Sequence, residues 1–513
     1  MITRQNTQQN LCNADRAIDS FKYRLPTTEE VAIQTTDSLT HDYGRMILTT
    51  RSTHLVSLGT TKSLWIGVLL CLLHTTSLCV CAFPIRPAFF ITSTCISPCV
   101  SPSINHVQHH RIAAKSSSAL PQSPTSGEAA VAELNVFQAL LRDLQIENVP
   151  LLGCDARDVH TMNAALWTTM SEVSESDESQ KVCIIMEDIP MDALKSFAAD
   201  YANLLTQSRL MDHLPELARI SVSLLGKGVG PALVIETSDR TPDELAEKTA
   251  RAAMEDLLDE SHCTASLKSF VNRIVVGLEA CPYTKNPDLS GTGLEARGVN
   301  PGPVGYRFSK SSDACAAVAS FWTSVCELLS VPESEISTTL LSLPAIGPGN
   351  DREAHARFAA VVELISRNLC LFRGDGVFGL VHFHPAYERN LIHPVNKPAF
   401  GHLPPQSWLR SMLRHNGNVE QAKSLTDKDL EMSNYQRRSP HTVINILRAS
   451  QLNAAVGAKS IVDLEILEDG TTEKASGIPL YSRNVIRLAG QGEEKLQSAV
   501  ENEMNMSFLG EGA

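Results

Sequence analysis

The sequence predicts an α/β protein built from two α/β domains, and three observations carry this. Apolar residues recur at helical spacing in some stretches and form short continuous or alternating runs in others, and the two kinds take turns along the chain. The second half reads as β-α-β-α-β with flanking helices, an order that calls for right-handed crossovers and a mainly parallel sheet. The 513 residues are 43% hydrophobic and 20% charged, a globular composition long enough for two or three cores.

The elements follow in order. Residues 129–146 carry Val131, Leu134, Phe137, Leu140, Leu141 and Leu144 on one helical face. VPLLGC is the next strand, 158–172 a helix, and VCIIM an apolar strand after the polar break SESDESQ. A helix near 191–207 leads into the strands RISVSLL and PALVIET. The loop between them, GKGVGP, is glycine-rich, but a strand follows it where a phosphate-binding loop needs a helix, so it is expected to be a hairpin turn. In the second region Leu267, Phe270, Val271, Ile274, Val275 and Leu278 share a face, and Pro282 is expected to end that helix at Cys281. VGYRFS, a helix over 313–330, ISTTLLSLP, a helix over 351–368 and LCLFRGDGVFGLVHFHP with a turn at Gly374-Asp375-Gly376 complete the β-α-β-α-β series. A Pro-interrupted segment, 386–438, precedes a final expected helix over 440–455.

Charge divides the chain. No Asp or Glu occurs between Asp42 and Glu128, while residues 128–513 hold 34 basic and 51 acidic side chains. The net charge of −13 argues against a nucleic-acid partner. Seven of the thirteen cysteines follow Cys99 without a CxxC pair or regular spacing, as reduced intracellular thiols do.

The run Leu64–Leu73 suits a signal h-region and is short of the roughly 20 residues of a spanning helix. A Ser-rich, basic, acid-free segment follows it, and together they resemble the bipartite presequences of algae with complex plastids, which place an aromatic residue after the signal cleavage point, as Ala82-Phe83 does here. The expected organisation is 1–45 as a gene-model extension, 46–82 as signal peptide, 83–127 as transit peptide and linker, 128–263 and 264–495 as domains, and 496–513 as a tail. The destination is then the plastid stroma, with no stable membrane insertion after processing; the alternative is a single-pass anchor through 64–82.

Four motifs carry the candidate chemistry: LEACPYTK (278–285), VHFHPAYE (381–388), RRSPHTVINILR (437–448) and LYSRNVIRL (480–488). In this order, over about 264–495, they resemble an uncharacterised family, domain of unknown function 1415. The resemblance matches Cys281, Pro282 and Lys285; Phe383, His384, Pro385 and Tyr387; Arg438, Ser439, Pro440, Leu447 and Arg448; and Arg483 with Asn484. Ala386 and Arg437 stand where the family has Asp and Asn.

These residues suggest a site. Ser439-Pro440 reads as a helix N-cap with proline at the first turn, and Arg438 beside it would complete an anion seat with Lys285 and Arg448. Cys281 is a nucleophile or a packed thiol, and His384 a general acid or base at a strand end. Tyr387, Arg483 and Asn484 are supporting groups. His382 and His384 share a strand face and Cys281 could join them on a metal, but only His384 matches the family motif and no metal is expected; the cofactor and oligomeric state stay open. The readings are an enzyme acting on a small anionic metabolite through a Cys/His/Arg site, a non-catalytic anion-binding or regulatory protein, or a plastid assembly factor.

Overall fold

The computed structural model describes residues 105–106, 151–154, 156–225, 231–389, 402–456 and 461–507. The leader apart from residues 105–106, the helix expected over 129–146 and the GKGVG loop lie outside them.

Five strands form the first sheet: β1 (Asn105–His106), β2 (Leu151–Gly153), β3 (Lys181–Ile185), β4 (Ile220–Leu224) and β5 (Ala232–Thr237), in the order β1-β2-β3-β5-β4. Only β2 and β3 run parallel; β4 and β5 pair antiparallel, as the two ends of a hairpin must. Helix α1 (Val159–Glu175) starts at Asp158, whose carboxylate caps the backbone N–H groups of His160 and Thr161. Helix α2 (Met191–Leu205) buries Leu194, Phe197, Tyr201 and Leu204. Helix α3 (Pro242–Glu255) was not expected from the sequence, although Thr241 and Glu244 form a capping box around its proline.

Helix α4 (Glu260–Phe270) continues as a π-helical segment, Val271–Gly277. The expected helix end at Cys281 is therefore four residues late. The wider turn brings Gly277 so near Asn272 that a Cβ there would lie 2.9 Å from the Asn272 carbonyl oxygen.

The second sheet has six strands: β6 (Thr284–Asn286), β7 (Leu289–Ser290), β8 (Gly302–Phe308), β9 (Thr338–Ser342), β10 (Phe378–Phe383) and β11 (Val443–Arg448), in the order β10-β11-β9-β8-β7-β6. Helix α5 (Ala314–Ser330), capped by Asp313, connects the parallel pair β8 and β9. Helix α6 (Arg352–Leu371), capped by Asp351, leads from β9 to β10. The mainly parallel sheet expected here is corrected in one respect. β11 inserts antiparallel between β9 and β10, so β8/β9 is the parallel ladder and the other four pairings are antiparallel.

The inserted strand is the segment expected as the helix 440–455. Ser-Pro is a helix-start signal, but Val443, Ile444 and Ile446 are β-branched and favour the strand. A helix follows only at α7 (Ala449–Val456). The chain closes with α8 (Ile478–Ala489) and α9 (Glu493–Ser507).

One apolar core joins both sheets. It runs from Leu152 through Trp167 of α1 and Trp322 of α5 to Phe378 and Ile446 of the second sheet. On the other face of that sheet a smaller core gathers Leu267, Phe270, Ile274, Phe383, Leu488 and Val500. Among the described residues no helix is long and apolar enough to cross a membrane.

Candidate functional site

The loop holding Cys281 starts where the π-helical segment ends. Helix ends leave carbonyls without partners, and here α8 supplies them. Arg487 Nη1 donates to the carbonyl of Leu278 (2.9 Å), Arg483 Nη2 to that of Glu279 (3.0 Å) and Asn484 Nδ2 to that of Ala280 (3.0 Å). Glu279 takes a left-handed backbone (φ 48°), and its carboxylate accepts from Arg487 Nη1 at 2.9 Å. That hydrogen bond, then the charge of Arg487, holds its carboxyl below the usual range. The backbone of Cys281 is fixed by donation to the Val275 carbonyl (3.4 Å). The thiol's residue is half-buried, and Lys285 is exposed on β6. Arg483 and Asn484 thus support the Cys281 loop.

His384 belongs to the opposite face of the sheet. Phe383 packs edge-on against Phe270 at 5.6 Å, on the side of the Cys281 loop. The next side chain points the other way, as strand alternation requires. His384 lies 5.7 Å from the Phe358 ring and 4.9 Å from the His355 ring, both on α6. The structure therefore does not bring Cys281 and His384 together. Both ring nitrogens of His384 are engaged by backbone groups. The Ala386 N–H donates to its Nδ1 (3.0 Å), so Nε2 carries the proton and donates to the Gly347 carbonyl (2.8 Å). Burial pushes its pKa down to about 4, against the opposing pull of that carbonyl and of Asp351. Gly347 has φ +61°, and a Cβ there would meet the Ala354 carbonyl oxygen at 2.0 Å.

Tyr387, fully buried, anchors the segment after β10. Its hydroxyl bonds His402 Nδ1 (3.1 Å) and accepts from the Leu403 N–H (3.2 Å); His382 Nε2 also lies 3.1 Å from His402 Nδ1. Among the described residues no group of three or more His, Cys, Asp or Glu side chains is placed to hold a metal ion.

The helix start expected at Ser439-Pro440 is corrected. Ser439 opens no helix; its hydroxyl donates to the His441 carbonyl, and β11 follows. Arg448 is committed elsewhere, its Nη2 donating to the carbonyls of Leu328 (2.6 Å), Val331 (2.6 Å) and Ile336 (2.9 Å). Arg438 donates Nε to the Tyr387 carbonyl (3.2 Å) and lies 4.4 Å above the Tyr435 ring.

Arg437, next to Arg438 in the sequence, has a different environment. Its side chain lies over the Phe383 ring at 5.2 Å and the residue is only 9% exposed. Nη1 has no hydrogen-bond partner, and no carboxylate lies within ion-pair reach among the described residues. Beside it Gln436 Oε1 accepts from Asn484 Nδ2 (2.7 Å), while Asn484 Oδ1, also buried, has no partner. The signal was present as two adjacent arginines at 437 and 438, one of them where the resembled family carries Asn.

Phe383 also faces a cavity of about 50 Å³ between the π-helical segment and the sheet. Val271 and Val275 form one wall, and Leu340, Asn445 and Thr338 belong to the other. Cys281 stands near its rim, because the flanking Thr284, which lines the cavity, donates its N–H to the Cys281 carbonyl.

Residues 262–409 match the model of the family described as Protein of unknown function (DUF1415). No curated protein and no solved structure matches the chain.

Proposed function

We propose that this protein binds a small anion, a carboxylate or a phosphate, at the Arg437 guanidinium. One observation carries the reading: a buried arginine without an acidic partner, with an unpartnered nitrogen. An isolated buried charge costs several kcal/mol, roughly, after relaxation, and arginine is suited to carboxylates and phosphates because its fork donates two parallel hydrogen bonds. The buried Asn484 oxygen near the same seam offers an acceptor to a ligand hydroxyl or a water. The non-catalytic reading is favoured over the enzyme because His384 is locked by two backbone groups and shares no face with Cys281. The acid-free leader supports a plastid as the place where the anion is met.

The test uses the full chain and its Arg437→Met variant. Thermal unfolding is followed with inorganic phosphate, sulfate and acetate. An anion present at a hundred times its Kd stabilises by about 2.7 kcal/mol, which wild type should show and the variant should not. Without ligand, Arg437→Met should be as stable as wild type or more so, since replacing an unpaired buried charge by an apolar chain is neutral or favourable. A variant that unfolds, or a wild type indifferent to every anion, sinks the reading.

A further inference from the structure

We infer that the anion is a short-chain aliphatic carboxylate, whose alkyl end enters the cavity under the π-helical segment while its carboxylate meets Arg437. The inference rests on the anion reading and adds a ligand class to it. Phe383 connects the two features, since its ring lines the cavity and carries the guanidinium at 5.2 Å. The cavity walls are mainly aliphatic and aromatic: Leu267, Phe270, Val271, Val304 and Leu340. Thr338 directs its hydroxyl to the Asn445 side chain (2.6 Å), so one polar pair on that wall is already mutually occupied.

Size selects the class. A dry apolar cavity of about 150 Å³ accepts benzene, so about 50 Å³ admits two or three carbons and no ring. The opening has a structural cause. Val271 and Val275 sit on the π-helical stretch, a distortion that occurs frequently at functional sites. A regular helix would close the turn and shift both valines relative to the sheet.

Calorimetric titration of the full chain with acetate, propionate, butyrate, benzoate and inorganic phosphate tests this. Affinity should rise about 4-fold for each methylene from acetate to butyrate, and benzoate should bind at least tenfold more weakly than butyrate. Val275→Phe, at a half-buried wall position, should abolish the dependence on chain length while acetate still binds. Should that variant fail to fold by circular dichroism, Val304→Ile takes its place and should reduce the step from propionate to butyrate. A flat series, or benzoate as the tightest ligand, overturns the inference and leaves the anion reading standing when acetate or phosphate still binds. Absence of binding by all five overturns both.

Discussion

Replacing His384 by Asn should remove a large part of the protein's acid sensitivity. His384 is fully buried, its Nδ1 accepts from the Ala386 N–H and its Nε2 donates to the Gly347 carbonyl. Its pKa falls from the ordinary 6.5 to about 4, chiefly through desolvation. In the unfolded chain the ring takes a proton near pH 6.5, whereas in the folded protein it stays neutral down to about pH 4. The unfolded state therefore binds more protons across that window. Stability from this residue is complete above pH 6.5, declines as pH falls toward 4 and levels off below. The fall from 6.5 to about 4 corresponds to roughly 3 kcal/mol. Asn does not titrate, so the stability gap between wild type and His384→Asn should narrow by about 3 kcal/mol from pH 7 to pH 4. Urea denaturation of both proteins at pH 7, 5.5 and 4 measures this. His441, pushed down to about 3 by burial, is common to both and cancels. A gap independent of pH would mean that His384 titrates normally, is accessible to protons, and is again a candidate for acid–base chemistry.

Two further outcomes follow from the same geometry. Arg448→Ala should cost about 3 kcal/mol, since charged hydrogen bonds contribute about 1.5–3 kcal/mol each and combine non-additively, and it should leave anion affinity unchanged; loss of binding at intact stability would return Arg448 to the seat. Asn484→Ala removes the donor to Ala280 and Gln436. It should lower stability by about 1 kcal/mol and raise the alkylation rate of Cys281 several-fold by mass spectrometry, whereas an unchanged rate would show that the loop holds itself.

Much of the fold was legible because its elements declare themselves locally. Asp158, Asp313 and Asp351 each cap the helix that follows, and the period of apolar residues marks α1, α5 and α6. β11 was not legible, because a Ser-Pro helix-start signal competed with three β-branched residues and sheet pairing on both sides decided the outcome. The site was harder still. A motif records which residues stand together in sequence, but the face of a strand records which meet in space. His384 and Phe383 are neighbours in the chain and belong to different cores. Arg437 could not be separated from Arg438 without knowing which guanidinium has its partners within the fold.

The three side chains of α8 that hold carbonyls 278–280 have a consequence in time. Arg483 and Glu279 are 204 residues apart. At synthesis rates of about 5–20 residues per second, the Cys281 loop emerges roughly 10–40 s before the helix that fastens it. During that interval the end of the π-helical segment has three carbonyls lacking their eventual donors, and the wall of the cavity has no fixed end. The cavity is therefore among the last parts of the molecule to be completed, and any truncation that removes α8 should leave a chain with both sheets encoded and the cavity unfinished.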